Sequence, residues 1–172
     1  MDFLTPQGSV KTVGRWYLWK PRIKNWLPVV AWAALIFYFS TDQFSYLNTA
    51  EIFGSFLSWL FPGIPTEEIA PMHGTMRKLG HWVEYFVLSV LLLRALQNEK
   101  GGKWKLRYAV ITLVFVLLYA FGDEFHQSFV PSRTASLGDV TIDVLGGICG
   151  VVWMYWYDKG ILARLTTRVG LN

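Results

Sequence analysis

The stretch YAVITLVFVLLYAFGDEFHQ, Tyr108–Gln127, poses the question that decides the fold. Its apolar part, Tyr108–Phe121, would be about 21 Å long as a helix. The hydrocarbon core of a bilayer is about 30 Å thick and needs about 20 residues. Three similar apolar runs, Trp26–Phe39, Leu79–Leu93 and Val144–Tyr157, fall short in the same way. Either these runs are buried helices of a water-soluble bundle, or each is a span that borrows polar residues at one end. Borrowing places Lys78, His81, Glu84, Asp123, Glu124, Asp139 and Asp143 at the ends of spans two, three and four.

The charges between the runs favour spans. Ahead of the first run Lys11, Arg15, Lys20, Arg22 and Lys24 outweigh Asp2. Between runs two and three Arg94, Lys100, Lys103, Lys105 and Arg107 outweigh Glu99. After the last run Lys159, Arg164 and Arg168 outweigh Asp158. The two remaining loops are acidic: Asp42, Glu51, Glu67 and Glu68 exceed Arg77 and Lys78, and Asp123, Glu124, Asp139 and Asp143 exceed Arg133. Basic and acidic loops alternate strictly, the pattern of the positive-inside rule. The expected fold is all-α: four transmembrane helices in a compact bundle with both termini cytoplasmic, in a bacterial cytoplasmic membrane. Residues 1–25 form a basic, aromatic segment, 26–158 the membrane domain and 159–172 a tail.

Composition agrees. Of 172 residues, 53% are apolar and only 16% charged, against about 25% charged in soluble domains. The net charge of +4 suggests nucleic acid at first sight, but the mean hydropathy of +0.32 and nine Trp point to lipid, so no nucleic-acid partner is expected. A single cysteine, Cys149, excludes an internal disulfide framework and a cysteine-cluster metal site. The sequence after the first run lacks an A-x-A-like cleavage site, so that run reads as an uncleaved span. Asn48-x-x-Glu51 reads as a helix cap ahead of a short apolar helix that ends at Pro62-Gly63 and lies on the outer leaflet or over the bundle.

The polar residues form a pattern. Lys78, His81 and Tyr85 share one helical stripe with Glu84 close by. Asp123 and Gln127 share a face, and Glu124 lies about 100° round the helix. Pro131 breaks the helix, and Ser136-x-x-Asp139 reads as the capping box of the last span. One turn beyond Asp139 comes Asp143, and Gly146 and Gly150, with Gly147 beside them, make a small-residue seam for helix packing. Ionisable groups at membrane depth cost about 2.5–3.5 kcal/mol near the centre. Arg133 and Lys78 can pair with only two of the carboxylates, so the site keeps negative charge, protons or a cationic group.

The ordered set Arg77-Lys78-x-x-His81-x-x-x-Tyr85, Asp123-Glu124-x-x-Gln127-x-x-x-Pro131-x-Arg133-x-x-Ser136-x-x-Asp139-x-x-x-Asp143-x-x-Gly146, with Ser40-x-x-Gln43 upstream, resembles the VanZ-like family over residues 28–157. That family is named for a membrane protein that raises resistance to the glycopeptide teicoplanin. The resemblance implies a cell-envelope role and marks these residues, without supplying a reaction.

Four uses of the site follow. It could bind an outer-leaflet ligand, with Arg133 and Lys78 suited to phosphate and the carboxylates to amines, sugar hydroxyls or a divalent cation. The partner is then a membrane lipid or a lipid-linked cell-wall precursor. It could catalyse hydrolysis or transfer on such a substrate, with His81 as acid or base oriented by Glu84 or Asp123. A proton or ion path is disfavoured, because the inner half of every span is apolar. Finally, the cluster could only lock the bundle.

Overall fold

The computed structural model describes residues 16–99, 104–132 and 136–160. Its elements, all helical, are α1 (Trp16–Phe39), a 3-10 turn (Asp42–Phe44), α2 (Tyr46–Leu60), α3 (Thr66–Glu99), α4 (Leu106–Gln127) and α5 (Leu137–Asp158). Three helices, Glu67–Glu99, Leu106–Gln127 and Leu137–Asp158, are long and apolar enough to cross a membrane. Residues 22–39 and 42–60 reach that standard only as a pair, and the chain bends by 69° between them.

The helices are longer than the apolar runs, as borrowing from polar flanks requires. Borrowing is largest at α3, which begins at Thr66, well before Leu79. It carries Pro71 in its second turn, where the ring removes one intrahelical donor. Helix α2 begins two residues ahead of Asn48, and the Ser45 carbonyl accepts from the Thr49 amide at 3.1 Å. Asn48 therefore lies inside the first turn and does not occupy the cap position.

α3 is the centre of the bundle, with α5 packed most extensively on it and α1 and α4 alongside. The close approach of α5 rests on glycine. A Cβ at Gly146 would run into the backbone carbonyl of Trp82, and one at Gly150 into the Ser89 hydroxyl and the Phe86 carbonyl. Gly147 faces α4 instead, where a Cβ would stand 2.7 Å from Val116 Cγ1. Such contacts leave room for hydrogen only, so the α3–α5 backbones meet almost directly.

α1 runs antiparallel to α3 along its length. Trp26 Nε1 donates to Glu99 Oε1 at 2.7 Å at one end, Trp32 Nε1 to the Glu84 carbonyl at 2.8 Å further on, and Ile36 is buried in the core. Tyr85, Leu88, Val116 and Ala120 complete that core. Outside it lies a belt of exposed apolar side chains, among them Val110, Val114, Leu118, Leu145, Ile148 and Val152. A belt of this extent is unfavourable in water and ordinary against lipid.

Candidate functional site

The ends of α1 and α4, the start of α5 and the N-terminal half of α3 meet at one end of the bundle. His81 on α3 and Asp143 on α5 approach there, with Nδ1 and Oδ1 3.2 Å apart. His81 is 11% exposed and Asp143 fully buried. The contact is within ion-pair distance but not aligned as a hydrogen bond, and both Asp143 oxygens lack a hydrogen-bond partner. Electrostatically the cluster is one unit. The charges of Asp143, Glu84 and Asp139 reach His81, and those of Asp123, Asp143 and Glu84 reach the buried Tyr85.

Helix α4 supplies the second half. One turn separates Asp123 from Gln127, and Gln127 Nε2 donates to Asp123 Oδ2 at 3.0 Å. Both residues are buried, and Asp123 Oδ1 has no hydrogen-bond partner. Glu124 Oε2 accepts from the Ser136 backbone N–H at 2.6 Å, while its Oε1 is buried without a donor. This alters the cap expected at α5. Ser136 is the N-cap, and its hydroxyl accepts from the Gly138 amide at 3.1 Å. The Ser136 N–H, however, goes to Glu124 of the neighbouring helix. Sequence alone pairs Ser136 with Asp139 because a capping box is local; a carboxylate brought in by tertiary packing satisfies the same donor. Asp139 sits half-buried in the first turn, where its charge complements the helix dipole.

Beside this cluster lies a cavity of about 360 Å³. His81, Glu84 and Asp123 line it, together with Arg77, His73, Ser40 and Thr49 and the rings of Phe39, Phe44 and Phe53. α2 and the 3-10 turn cover one side. The Thr49 hydroxyl donates to the Ser45 carbonyl at 2.8 Å, so its 3.1 Å contact with His73 has His73 Nε2 as donor. Phe53 stacks on the His73 ring at 4.7 Å. Near the mouth Ser40 Oγ lies 3.3 Å from His126 Nδ1, and Ser132 Oγ bonds Asp42.

The expected residues thus separate into three groups. His81, Glu84, Tyr85, Asp123, Glu124, Asp139 and Asp143 come together with Gln127 and Ser136. Lys78 is exposed, off the cavity, and Arg77 takes the place beside it that faces inward. Arg133 lies outside the described residues. Arg77 belongs to the motif already quoted, but nothing in the sequence ranks it above Lys78. Choosing between neighbours on a helix requires knowing where α1 and α2 sit. His73, Thr49 and Phe53 had no signal at all, since the short apolar helix gives no direction of packing. Among the described residues no three His, Cys, Asp or Glu side chains are arranged to hold a metal ion.

Neither a curated protein nor a solved structure matches the chain. A family model described as VanZ/LLP1 matches residues 25–158, which takes in every helix that shapes the site. With that span matched, and with the His81, Asp123 and Asp143 constellation assembled inside it, the chain belongs to the VanZ-like family.

Proposed function

We propose that the protein is a four-span membrane protein of the bacterial cytoplasmic membrane. Its termini are cytoplasmic, and its outward-facing cavity binds the polar head of a lipid or lipid-linked cell-wall precursor. One observation carries this reading: a roomy cavity whose wall combines a guanidinium, two His and two carboxylates with three Phe rings. A cluster that only locked the bundle would be expected to be dry and fully paired, whereas Asp123 and Glu124 each keep an oxygen without a donor. The fourth span is α1, supported by its antiparallel course along α3 from Glu99 to Glu84. Loop charge supports the orientation. A contribution to teicoplanin-type glycopeptide resistance is the phenotype proposed, on the strength of the family.

The deciding experiment is extraction of the purified protein followed by identification of the lipid retained with it, in wild type and in Asp123→Asn. Retained envelope lipid whose identity or amount changes in the variant is the expected result. A lipid-free protein, or identical lipid in both, leaves the bundle-locking role as the better account. Topology is checked by Lys103→Cys in a Cys149→Ser background; labelling from outside the cell would reverse the orientation.

A second reading has its own observation. His81 faces the cavity while its Nδ1 side is turned to the buried Asp143. A buried carboxylate set beside a histidine is an element of general acid–base sites. It would serve a hydrolase or transferase acting on the same lipid-linked ligand. Turnover of the retained lipid that stops in His81→Gln, with retention unchanged, is the result this reading requires.

A further inference from the structure

The cavity carries both signs of charge, and they are ordered along one helix. Arg77, His81 and Glu84 stand at i, i+4 and i+7 on α3, so they form a single stripe, and all three line the cavity. Asp123 joins at the Glu84 level from α4; both carboxylates act on Tyr85. Asp123 is only 5% exposed, its Oδ2 accepts from Gln127, and its Oδ1 has no donor. A buried carboxylate oxygen in this state is costly until something donates to it. An ammonium group supplies three donors and a compensating charge. At the other end of the stripe Arg77 presents a planar fork suited to phosphate, steadied by a long 3.4 Å bond from its Nη1 to the Phe44 carbonyl.

Seven residues along a helix rise about 10 Å, so Arg77 and Glu84 stand about two turns apart. A phosphate and an amine joined by a short carbon linker, each with a hydrogen bond of about 2.9 Å to the wall, suit two such levels. The cavity also opens toward the apolar surface. Met76 lines it and is half exposed, and Leu79 and Val83 extend the same exposed strip of α3. An acyl chain has a place to lie there.

We infer that the cavity is a subsite for a zwitterionic aminophosphate headgroup, with the phosphate on Arg77, the ammonium on Asp123 and Glu84, and the tail along the Met76 strip. This rests on the lipid-head reading above and adds the amine to it.

The test is native mass spectrometry of the full-length protein in detergent. It is exchanged against vesicles that hold equal phosphatidylethanolamine, phosphatidylglycerol and phosphatidic acid. Wild type is expected to retain phosphatidylethanolamine about tenfold over the other two, the equivalent of about 1.4 kcal/mol. Asp123→Asn should lose that preference yet still hold phosphate lipids, Asp123→Glu should keep it, and Arg77→Gln should lose all three. Tryptophan emission matching wild type certifies each variant as folded. In a second arm, displacement of the lipid by O-phosphoethanolamine in water assigns the headgroup to a soluble source, and failure to displace assigns it to the bilayer. Equal retention of phosphatidylglycerol, or an unchanged preference in Asp123→Asn, overturns the amine. If phosphatidic acid is still held in an Arg77-dependent way, the lipid-head reading survives that result. If no phospholipid or polyprenyl phosphate is held through Arg77, both fall together.

Discussion

The two ends of the bundle handle polar groups in opposite ways. Where α1 begins and α3 finishes, polar side chains pair with one another at or near the surface. Trp26 donates to Glu99, Asn98 donates to Asn25 at 3.2 Å, and Arg107 donates to the Tyr108 hydroxyl at 2.6 Å while stacking over its ring. The groups buried without a partner toward that end, Gln97, Trp104 and Thr112, are neutral. At the other end the buried atoms without a hydrogen-bond partner include carboxylate oxygens of Asp123, Glu124 and Asp143, beside the Tyr85 hydroxyl and the His81 ring. Desolvating a charge is far more costly than desolvating an amide or a hydroxyl. One end is therefore arranged for stability at a water boundary, and the other carries a cost that stability alone does not explain. Sites of function are where such costs are retained.

The comparison breaks most readily at the seam that both ends share. Gly150→Ala forces a methyl group into the Ser89 hydroxyl and the Phe86 carbonyl. It should lower unfolding stability in a detergent titration by about 1–3 kcal/mol. Gly146→Ala should do the same and also displace Asp143 from His81, so ligand retention falls with stability. A smaller effect of opposite sign is expected at the site. Asp143→Asn removes a buried charge but keeps the shape, and the variant should be as stable as wild type or more so by about 1 kcal/mol, with lipid retention reduced. Loss of stability there would place the cluster with the bundle-locking contacts. At the opposite end Trp26→Phe removes one hydrogen bond and should cost about 0.5–1.5 kcal/mol with lipid retention intact. Least of all, Asn25→Ala at an exposed pair should fall within about 0.5 kcal/mol of wild type.

Much of this division was legible from residue order. The helical class follows from apolar runs and loop charge, and the gathering of His81, Asp123 and Asp143 at one end follows from their places toward the ends of three spans. Glycine spacing marked α5 as a close-packing helix, but not that Gly146 and Gly150 face α3 while Gly147 faces α4. Three features were out of reach, two of them because they depend on contacts between different elements. The true start of α3 lies in a polar stretch that hydropathy passes over. The role of Arg77 depends on the 3-10 turn, whose Phe44 carbonyl accepts its guanidinium. The partner of the Ser136 amide is Glu124, which stands 12 residues away on another helix. Local patterns identify which residues are polar at depth; only packing says which of two neighbours faces inward.

One dimension of α3 has a consequence for the cell. At 34 residues it is about 51 Å long, while α4 and α5, at 22 residues each, are about 33 Å. The shorter pair matches a hydrocarbon core of about 30 Å, and α3 overshoots it by several turns. Its surplus lies at the end that carries His73 and Arg77, so this part of the cavity wall extends beyond the length that α4 and α5 span. A thicker, sterol-like or long-chain bilayer would swallow part of that surplus, and a thinner one would lift it clear. In a bilayer matched to α4 and α5, the depth at which the cavity meets the headgroups would therefore shift with bilayer thickness.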